Sequence, residues 1–476
     1  MTPQLDMLTT IKTILLDEWF LLDTWIVVTA ALAAMGCAIP GTFLVLRRQS
    51  MMGDALTHTV LPGIVGAFII SHAMKTSGWF AATGGEQPYA FDAITYTMMF
   101  VGAVAIGALT AVLSEWVQRQ GRVESSAALG IVYTSLFAVG LLMIRLFADS
   151  VHIDPDCVLY GSVETVWVTG DGVPRAALAS GGALVLNTLL VVAFFKELRV
   201  STFDPDLATS LGINSTAIHY GLMAITAVTA VAAFESVGNI LVIAMLIVPP
   251  ATAHLLTDRL WLLIVLSVTV AAASAWLGHA FALILPTLLL TPFADAPLLR
   301  SVNITSLDAS TAGMMATTSG LLFLLALLLG PRHGLVIRRL HRGFLAIRIA
   351  AEDLLGVIYR NQEDPETVNP AILTDRSLTR RLAVWWLRRR GLVTGSSTSP
   401  VLTSSGHASA RQLVRAHRLW ESYMAHHFNV PADHLHEMAH RVEHFLDPEL
   451  RDQIAEELDG PQRDPHGREI PLDEPD

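Results

Sequence analysis

The chain has 476 residues, of which 52% are hydrophobic and only 15% charged, with a mean hydropathy of +0.50. That balance is too apolar for an ordinary water-soluble fold, and the length leaves room for two or three domains. A formal net charge of −11 argues against nucleic acid as the main partner, and two cysteines, Cys37 and Cys157, make neither a disulfide framework nor a thiolate metal site.

The N-terminal residues are polar and acidic rather than basic and then apolar, so no cleavable signal is expected. Stretches long enough to cross a bilayer follow at 24–46, 56–72, 91–116, 127–147, 174–195, 216–234, 237–256, 261–287 and 312–330, nine in all. Cys37, inside the first, reads as a small buried hydrophobe. Basic residues gather at Arg47-Arg48, Arg119 and Arg122, Lys196 and Arg199, Arg259, and from Arg332 to Arg342. Nine crossings with the N-terminus outside put every cluster on the cytoplasmic side, as the bias of Lys and Arg toward that side requires. The loops 73–90, 148–172 and 288–311, richer in Gly, Pro, Asp and Ser, then lie outside. The predicted fold is an all-α polytopic membrane domain over residues 1–330, set in the cell membrane, followed by a cytosolic part.

In GTFLVLRRQSMMGDALTHTVLPGIVGAF, residues 41–68, Arg47 and Arg48 close one span and Asp54 and His58 open the next. Four residues apart, Asp54 and His58 share one face of a helix. A carboxylate beside an imidazole can hold a divalent cation, and polar groups kept inside a membrane mark a substrate path by default. The residues alone equally allow Asp54 as a helix cap and His58 as a satisfied core histidine. Arg47-Arg48, Met52-Gly53-Asp54-Ala55-Leu56, His58 and Leu61-Pro62-Gly63 resemble the signature of the zinc/manganese/iron ABC permease family, with Thr57 where Ser is commoner. The resemblance implies that Asp54 and His58 touch the transported metal.

Between spans, VSTFDPDLATSLGIN (200–214) is a polar interruption on the cytoplasmic side. Asp204 can cap a short helix with Pro205 at its first position, and Gly212 can end it. Phe203, Asp204, Pro205, Ala208 and Leu211-Gly212 resemble the family's segment that docks on the ATPase; an ordinary loop helix is the other reading. The outer segment His152-Ile153-Asp154-Pro155-Asp156, followed by Val158-Leu159-Tyr160-Gly161, also follows the family, and its acidic residues could gather a cation or be merely solvated. In 235–256, Pro249-Pro250 is expected to break the helix near its inner end, with freed carbonyls tolerated if they line a cavity. Glu235 and His254 bracket that span; each could touch the path or simply sit at the membrane edge. No G-x-x-x-x-G-K-[ST] loop occurs, so the chain is expected to be a transport subunit and not an enzyme. The resemblance implies a separate ABC ATPase subunit, an extracytoplasmic metal-binding protein and a homodimer of permease chains.

Past a basic linker at 331–345, the composition becomes that of a soluble protein. Residues 350–362 read as a helix with Leu354, Leu355, Ile358 and Tyr359 at core spacing, and 376–390 as a basic helix ending at Gly391. Short strands at Leu392-Val393-Thr394 and Val401-Leu402-Thr403 complete a winged-helix outline over 346–410. The basic helix could read DNA, lie on a membrane or be solvated, and its tether to the bilayer makes DNA binding the less favoured role. In 411–476, a helical domain with an acidic tail, His440, Glu443 and His444 stand at i, i+3, i+4 on one helical face, with His417 on the preceding helix. Such donors suit Mn²⁺, Fe²⁺, Co²⁺ or Zn²⁺ alike; a His-rich solvated surface that includes His426, His427, His434 and His436 is the alternative. Residues 346–471 resemble the DtxR-like iron/manganese-dependent repressors. Arg415-Ala416-His417-Arg418-Leu419-Trp420-Glu421, Glu437 with Arg441-Val442-Glu443-His444, and Pro461 with Arg463-Asp464-Pro465-His466-Gly467 carry that resemblance. It implies Asp353, His417, His440, Glu443 and His444 as ligands of a regulatory metal, in a domain that dimerises. His440 stands where the family has Cys or Glu, and Gly356 where its manganese-responsive members have a Glu ligand.

The sequence thus predicts the permease subunit of an ABC importer for a divalent metal, manganese before zinc or iron, with a fused cytosolic metal sensor. A membrane-anchored metal-dependent transcriptional regulator is the alternative, and the permease signature argues against it.

Overall fold

A computed structural model of the chain describes residues 21–76, 93–147, 163–169, 172–290, 309–331, 334–364, 377–396, 400–428, 435, 438–440 and 442–472. The segment His152–Gly161, Glu437, Arg441 and the side chain of Glu235 lie outside the described residues. The chain divides into two compact units, residues 1–335 and 336–476.

In the first unit, α1 (Leu21–Leu46), α2 (Ser50–Thr76), α3 (Ala93–Gly121), α4 (Ser125–Phe147) and α5 (Arg175–Ala193) precede two short helices, α6 (Phe195–Phe203) and α7 (Pro205–Ser210). Then come α8 (Ser215–Leu256), α9 (Leu260–Leu290) and α10 (Thr311–Leu329). Among the described residues, nine stretches are long and apolar enough to cross a membrane. Two of them belong to α8, whose 42 residues would extend some 63 Å if straight, twice the hydrocarbon thickness. Gly238, with φ 73° and ψ 168°, breaks it. The break reverses the chain: Thr229 lies against Gly36, and Leu246, seventeen positions later, lies against Gly41, only five positions further along α1.

Two expectations change. The helix carrying Asp54 starts at Ser50, not near residue 56, because the α1–α2 connection needs only the Arg47–Gln49 turn. There Arg48 takes φ 58°, and the Arg47 and Gln49 amides bond back to the Phe43 and Leu44 carbonyls. No break occurs at Pro249-Pro250, through which the helix continues to Leu256, while Gly238 lies at the boundary expected between the spans ending at 234 and starting at 237. Pro250 has no N–H to offer the Leu246 carbonyl. That oxygen packs instead on the α1 backbone at Gly41, where any Cβ would overlap it. Around this contact Ala30, Ala33, Ala34, Cys37 and Ala38 of α1 meet Ala230, Ala233, Leu241 and Met245 of α8. Small residues let the helices approach closely, which is how helices associate in lipid.

The second unit starts within α11 (Leu335–Glu363) and continues with α12 (Leu378–Arg389), β1 (Val393–Gly395), β2 (Pro400–Leu402), α13 (Ser404–His427) and α14 (Pro448–Glu457). β1 and β2 form an antiparallel hairpin pairing Val393 with Leu402 and Gly395 with Pro400. Leu354, Leu355 and Ile358 of α11 are buried with Val384 and Leu387 of α12, Val393, and Ala410 and Val414 of α13. A second cluster joins Ala416 and Leu419 of α13 to Leu446, Ile454 and Ile470. The expected boundary at 410–411 therefore falls inside one continuous helix, which serves both cores.

Candidate metal path and metal-binding centre

Asp54 lies in the second turn of α2 and His58 one turn on, with His58 Nε2 at 3.4 Å from Asp54 Oδ1. Both side chains are about a quarter exposed within a protein that otherwise packs them tightly. The His58 ring stacks on Tyr133 at 5.9 Å and meets the edge of Phe137 at 5.5 Å, so two aromatics of α4 fix its plane. Its Nδ1 accepts from the Asn239 amide at 3.2 Å, which leaves Nε2 facing Asp54. Asn239 follows the Gly238 break directly and is 3% exposed, and its Oδ1 is buried without a hydrogen-bond partner. A buried acceptor with no donor is costly, so Asn239 is an unsatisfied polar group in direct contact with His58. Sequence reading missed Asn239; its signal was a lone Asn beside a Gly inside an apolar span. His254 sits exposed on the last turn of α8.

The α6–α7 segment is built as its residues predict. Asp204 Oδ1 accepts from the Leu207 amide at 2.9 Å, Pro205 opens α7, and Gly212 with φ 81° ends the turn. Ala208 is buried and anchors the segment, while Phe203, Leu207 and Leu211 are exposed. Arg47, from the turn that leads into α2, reaches this segment: its guanidinium donates to Ser201 Oγ at 2.7 Å and Thr202 Oγ1 at 3.3 Å, and lies 3.4 Å from His219 Nδ1. A cavity of about 270 Å³ opens beside it, lined by Arg47, Gln49, Glu115, Ser201, Thr202 and His219 among others.

In the second unit, donor atoms of Asp353, His440, Glu443 and His444 all lie within 4.8 Å of one another. Asp353 Oδ1 is 3.0 Å from His444 Nε2 and 3.6 Å from His440 Nε2, and Glu443 Oε1 is 3.0 Å from His440 Nδ1 and 3.7 Å from His444 Nε2. Asp353 Oδ1 and His444 Nε2 are buried, yet neither completes a well-aligned hydrogen bond. Two carboxylates and two imidazoles converging with such atoms left over fit a divalent transition metal. Behind them, Glu352 accepts from His444 Nδ1 at 3.0 Å and is itself held by Arg348, which fixes the ring as an outer-shell carboxylate does for a metal-bound His.

His417 stands beside this group. Its Nδ1 lies 2.5 Å from Glu443 Oε2 and its Nε2 3.0 Å from Glu421, so it meets Glu443 on the oxygen that His440 does not use. It orients Glu443 from behind, together with Arg360 at 3.6 Å. The space beside Gly356 is taken by the Leu413 side chain and the Arg360 guanidinium, 3.4 and 3.5 Å from where a Cβ would lie.

Electrostatics follow the geometry. Burial alone would raise the Glu443 carboxyl, but hydrogen bonds from His417 and His440 and the charges of His417 and Arg360 pull it down to about 2. Burial alone would lower His444, but the Asp353 and Glu352 carboxylates push it up to about 9. His440 is raised by its hydrogen bond to Glu443, against burial and helped by Asp353.

The ABC 3 transport family model matches residues 20–289, and that of the iron dependent repressor, metal binding and dimerisation domain matches residues 403–472. The manganese transport system membrane protein MntD of Bacillus subtilis is 38% identical over 324 residues, which cover 67% of this chain and 95% of that protein. The zinc transport system membrane protein TroD of Treponema pallidum is 35% identical over 398 residues, 81% of this chain and 97% of its own. Among solved structures, PsaBC from Streptococcus pneumoniae in complex with Fab is similar with a TM-score of 0.50 and 26% identity, covering 69% of this chain and 98% of that one. The protein is a multi-pass membrane protein that belongs to the ABC 3 transport family and carries a repressor-like C-terminal segment.

Proposed function

We propose that the chain is the permease subunit of an ATP-driven importer of divalent transition metal, with Mn²⁺ as its main cargo and Zn²⁺ or Fe²⁺ as the closest alternatives. The observation that carries this reading is the Asp54–His58 pair on α2, with the imidazole held on its other nitrogen by the buried Asn239 at the Gly238 break. One carboxylate and one imidazole make a site that binds without trapping the ion, as a transport path needs. The relatives named for manganese and zinc favour those metals.

The N-terminus is outside and residues 336–476 are cytosolic. ATP is hydrolysed by a separate subunit that docks on residues 203–212 through Phe203, Leu207 and Leu211. Arg47 passes its movement to α2, because it joins the turn before the metal-contacting helix to Ser201 and Thr202 just before α7. An extracytoplasmic protein delivers the ion, and two permease chains enclose the path.

Asp353, His440, Glu443 and His444 bind cytosolic metal as the sensor, with His417 positioning Glu443. Bound metal inhibits transport, which by linkage requires it to bind the inhibited state more tightly than the active one. The helix–hairpin–helix order of α12, β1, β2 and α13 fits a winged helix. Arg389 and Arg390 lie over Trp385 and Trp386 at 5.2 and 4.0 Å on the exposed end of this basic helix, whose tether to the bilayer makes DNA binding the less favoured role. The test is ATP-driven metal accumulation in vesicles holding the chain and its ATPase. Asn239→Ala should weaken Mn²⁺ uptake while leaving insertion intact, and undiminished uptake by an inserted Asp54→Ala, His58→Ala chain refutes the pathway.

A further inference from the structure

The apolar stripe of α11 passes through two different surroundings. In its second half Ala351, Leu354, Leu355 and Ile358 are buried in the core of the second unit. The same face continues toward the N-terminus as Val336, Leu340, Phe344 and Ile347, spaced four, four and three residues apart. There the stripe is uncovered: Val336 and Leu340 are exposed, and Phe344 is 69% exposed. The opposite face carries Arg338, Arg339 and Arg342 together with Leu345, and no acidic residue occurs from Leu335 to Ala351. An apolar stripe backed by a basic face without carboxylates is the pattern of a helix that lies in a membrane interface.

Position and charge name what covers it. The last span, α10, ends at Leu329, and five residues separate it from Leu335. Such a connection reaches roughly 20 Å at most, so α11 begins within reach of the headgroups. A basic segment beside a span is drawn to an anionic cytoplasmic leaflet, whose field acts over about one Debye length.

We propose that residues 335–348 lie on the anionic inner surface of the bilayer, with Val336, Leu340 and Phe344 inserted and the arginines toward the headgroups and water. The inner location rests on the topology proposed above. The same unbroken helix carries Asp353, nine residues beyond Phe344. A metal that closes on Asp353 therefore grips a helix whose other end is held by lipid, and the interfacial segment is where the sensor is anchored against the membrane.

The test uses the full-length chain with Cys37→Ala and Cys157→Ala, and an environment-sensitive fluorophore on Phe344→Cys. The chain is reconstituted in phosphatidylcholine alone or mixed with phosphatidylglycerol. The expected result is blue-shifted emission and several-fold stronger quenching by nitroxide-labelled lipid in the anionic mixture, reverted by Arg338→Glu, Arg339→Glu and Arg342→Glu together. Water-like emission in both mixtures overturns the proposal. So does quenching that ignores the charge reversal. Blue-shifted emission without lipid quenching, with Leu340→Cys cross-linking two chains, overturns it in favour of a second copy. The readout needs neither transport nor metal, so its failure leaves the importer reading standing, and the failure of that reading would show in uptake alone.

Discussion

Replacing Glu443 by Gln keeps the size of the side chain and removes the charge on which the centre of the second unit is built. Its carboxylate is 1% exposed, with His417 at 2.5 Å, His440 at 3.0 Å and Arg360 at 3.6 Å. The drop of its pKa from 4.5 to about 2 corresponds to roughly 3 kcal/mol of stability at neutral pH. Breaking a buried ion pair by removing one partner costs about 3–5 kcal/mol, which agrees. The folded pKa is depressed, so this contribution is complete above pH 4.5 and is lost as pH falls through about 2. Glu443→Gln should therefore lower the opening free energy of residues 404–472 by about 3 kcal/mol in metal-free buffer at pH 7, equivalent to roughly a hundredfold faster amide exchange. Hydrogen-exchange mass spectrometry on the solubilised full chain measures this. Added Mn²⁺ should protect the wild type and not the variant. Equal exchange of the two proteins without metal would mean that Glu443 does not hold this core together.

Metal binding to the same centre should strengthen with pH. His444, pushed up to about 9, and His440, also raised, hold protons that a metal must displace. Titrating Mn²⁺ between pH 6 and 8 should give an affinity rising by about one to two powers of ten per pH unit, and a flat profile would exclude those imidazoles as ligands. Arg47→Gln should uncouple the ATPase from transport: metal moved per ATP should fall while ATP hydrolysis persists, and Ser201→Ala with Thr202→Val should add little to it. An additive loss would place Arg47 in a different role. Asn239→Asp, which adds a charge beside His58, should hold Mn²⁺ more tightly and slow its release, read as a lower KM together with a lower maximal rate.

Hydropathy alone located the spans, because nothing else of that length satisfies a bilayer. It also set a span boundary at 235–236, beside the Gly238 turn, whereas the further break expected at Pro249-Pro250 does not occur. Pro249 and Pro250 are the stronger helix breakers by type, but the carbonyl that Pro250 leaves free is accommodated by Gly41 on another helix, a contact formed only in the fold. Gly238 looked ordinary until its positive φ showed where the chain turns, and Asn239 gained meaning only from that turn. In the second unit the i, i+3, i+4 spacing of His440, Glu443 and His444 was legible, whereas their partner Asp353 came through resemblance. His417 came through resemblance as well, and its contacts with Glu421 and Glu443 are formed only in the fold. The length of α11 was also underestimated, since a basic run before a helix reads as a linker until both halves share one apolar face.

The most direct test of the account follows Mn²⁺ uptake into vesicles containing the chain and its ATPase, at low and high metal on the cytosolic side. Wild type should accumulate Mn²⁺ at low cytosolic metal and slow markedly at high. Asp54→Ala with His58→Ala should abolish uptake under both conditions, and His440→Ala with Glu443→Ala should transport equally well under both. Normal uptake by the first pair, or an undiminished response to metal by the second, would contradict the account at the path or at the sensor respectively.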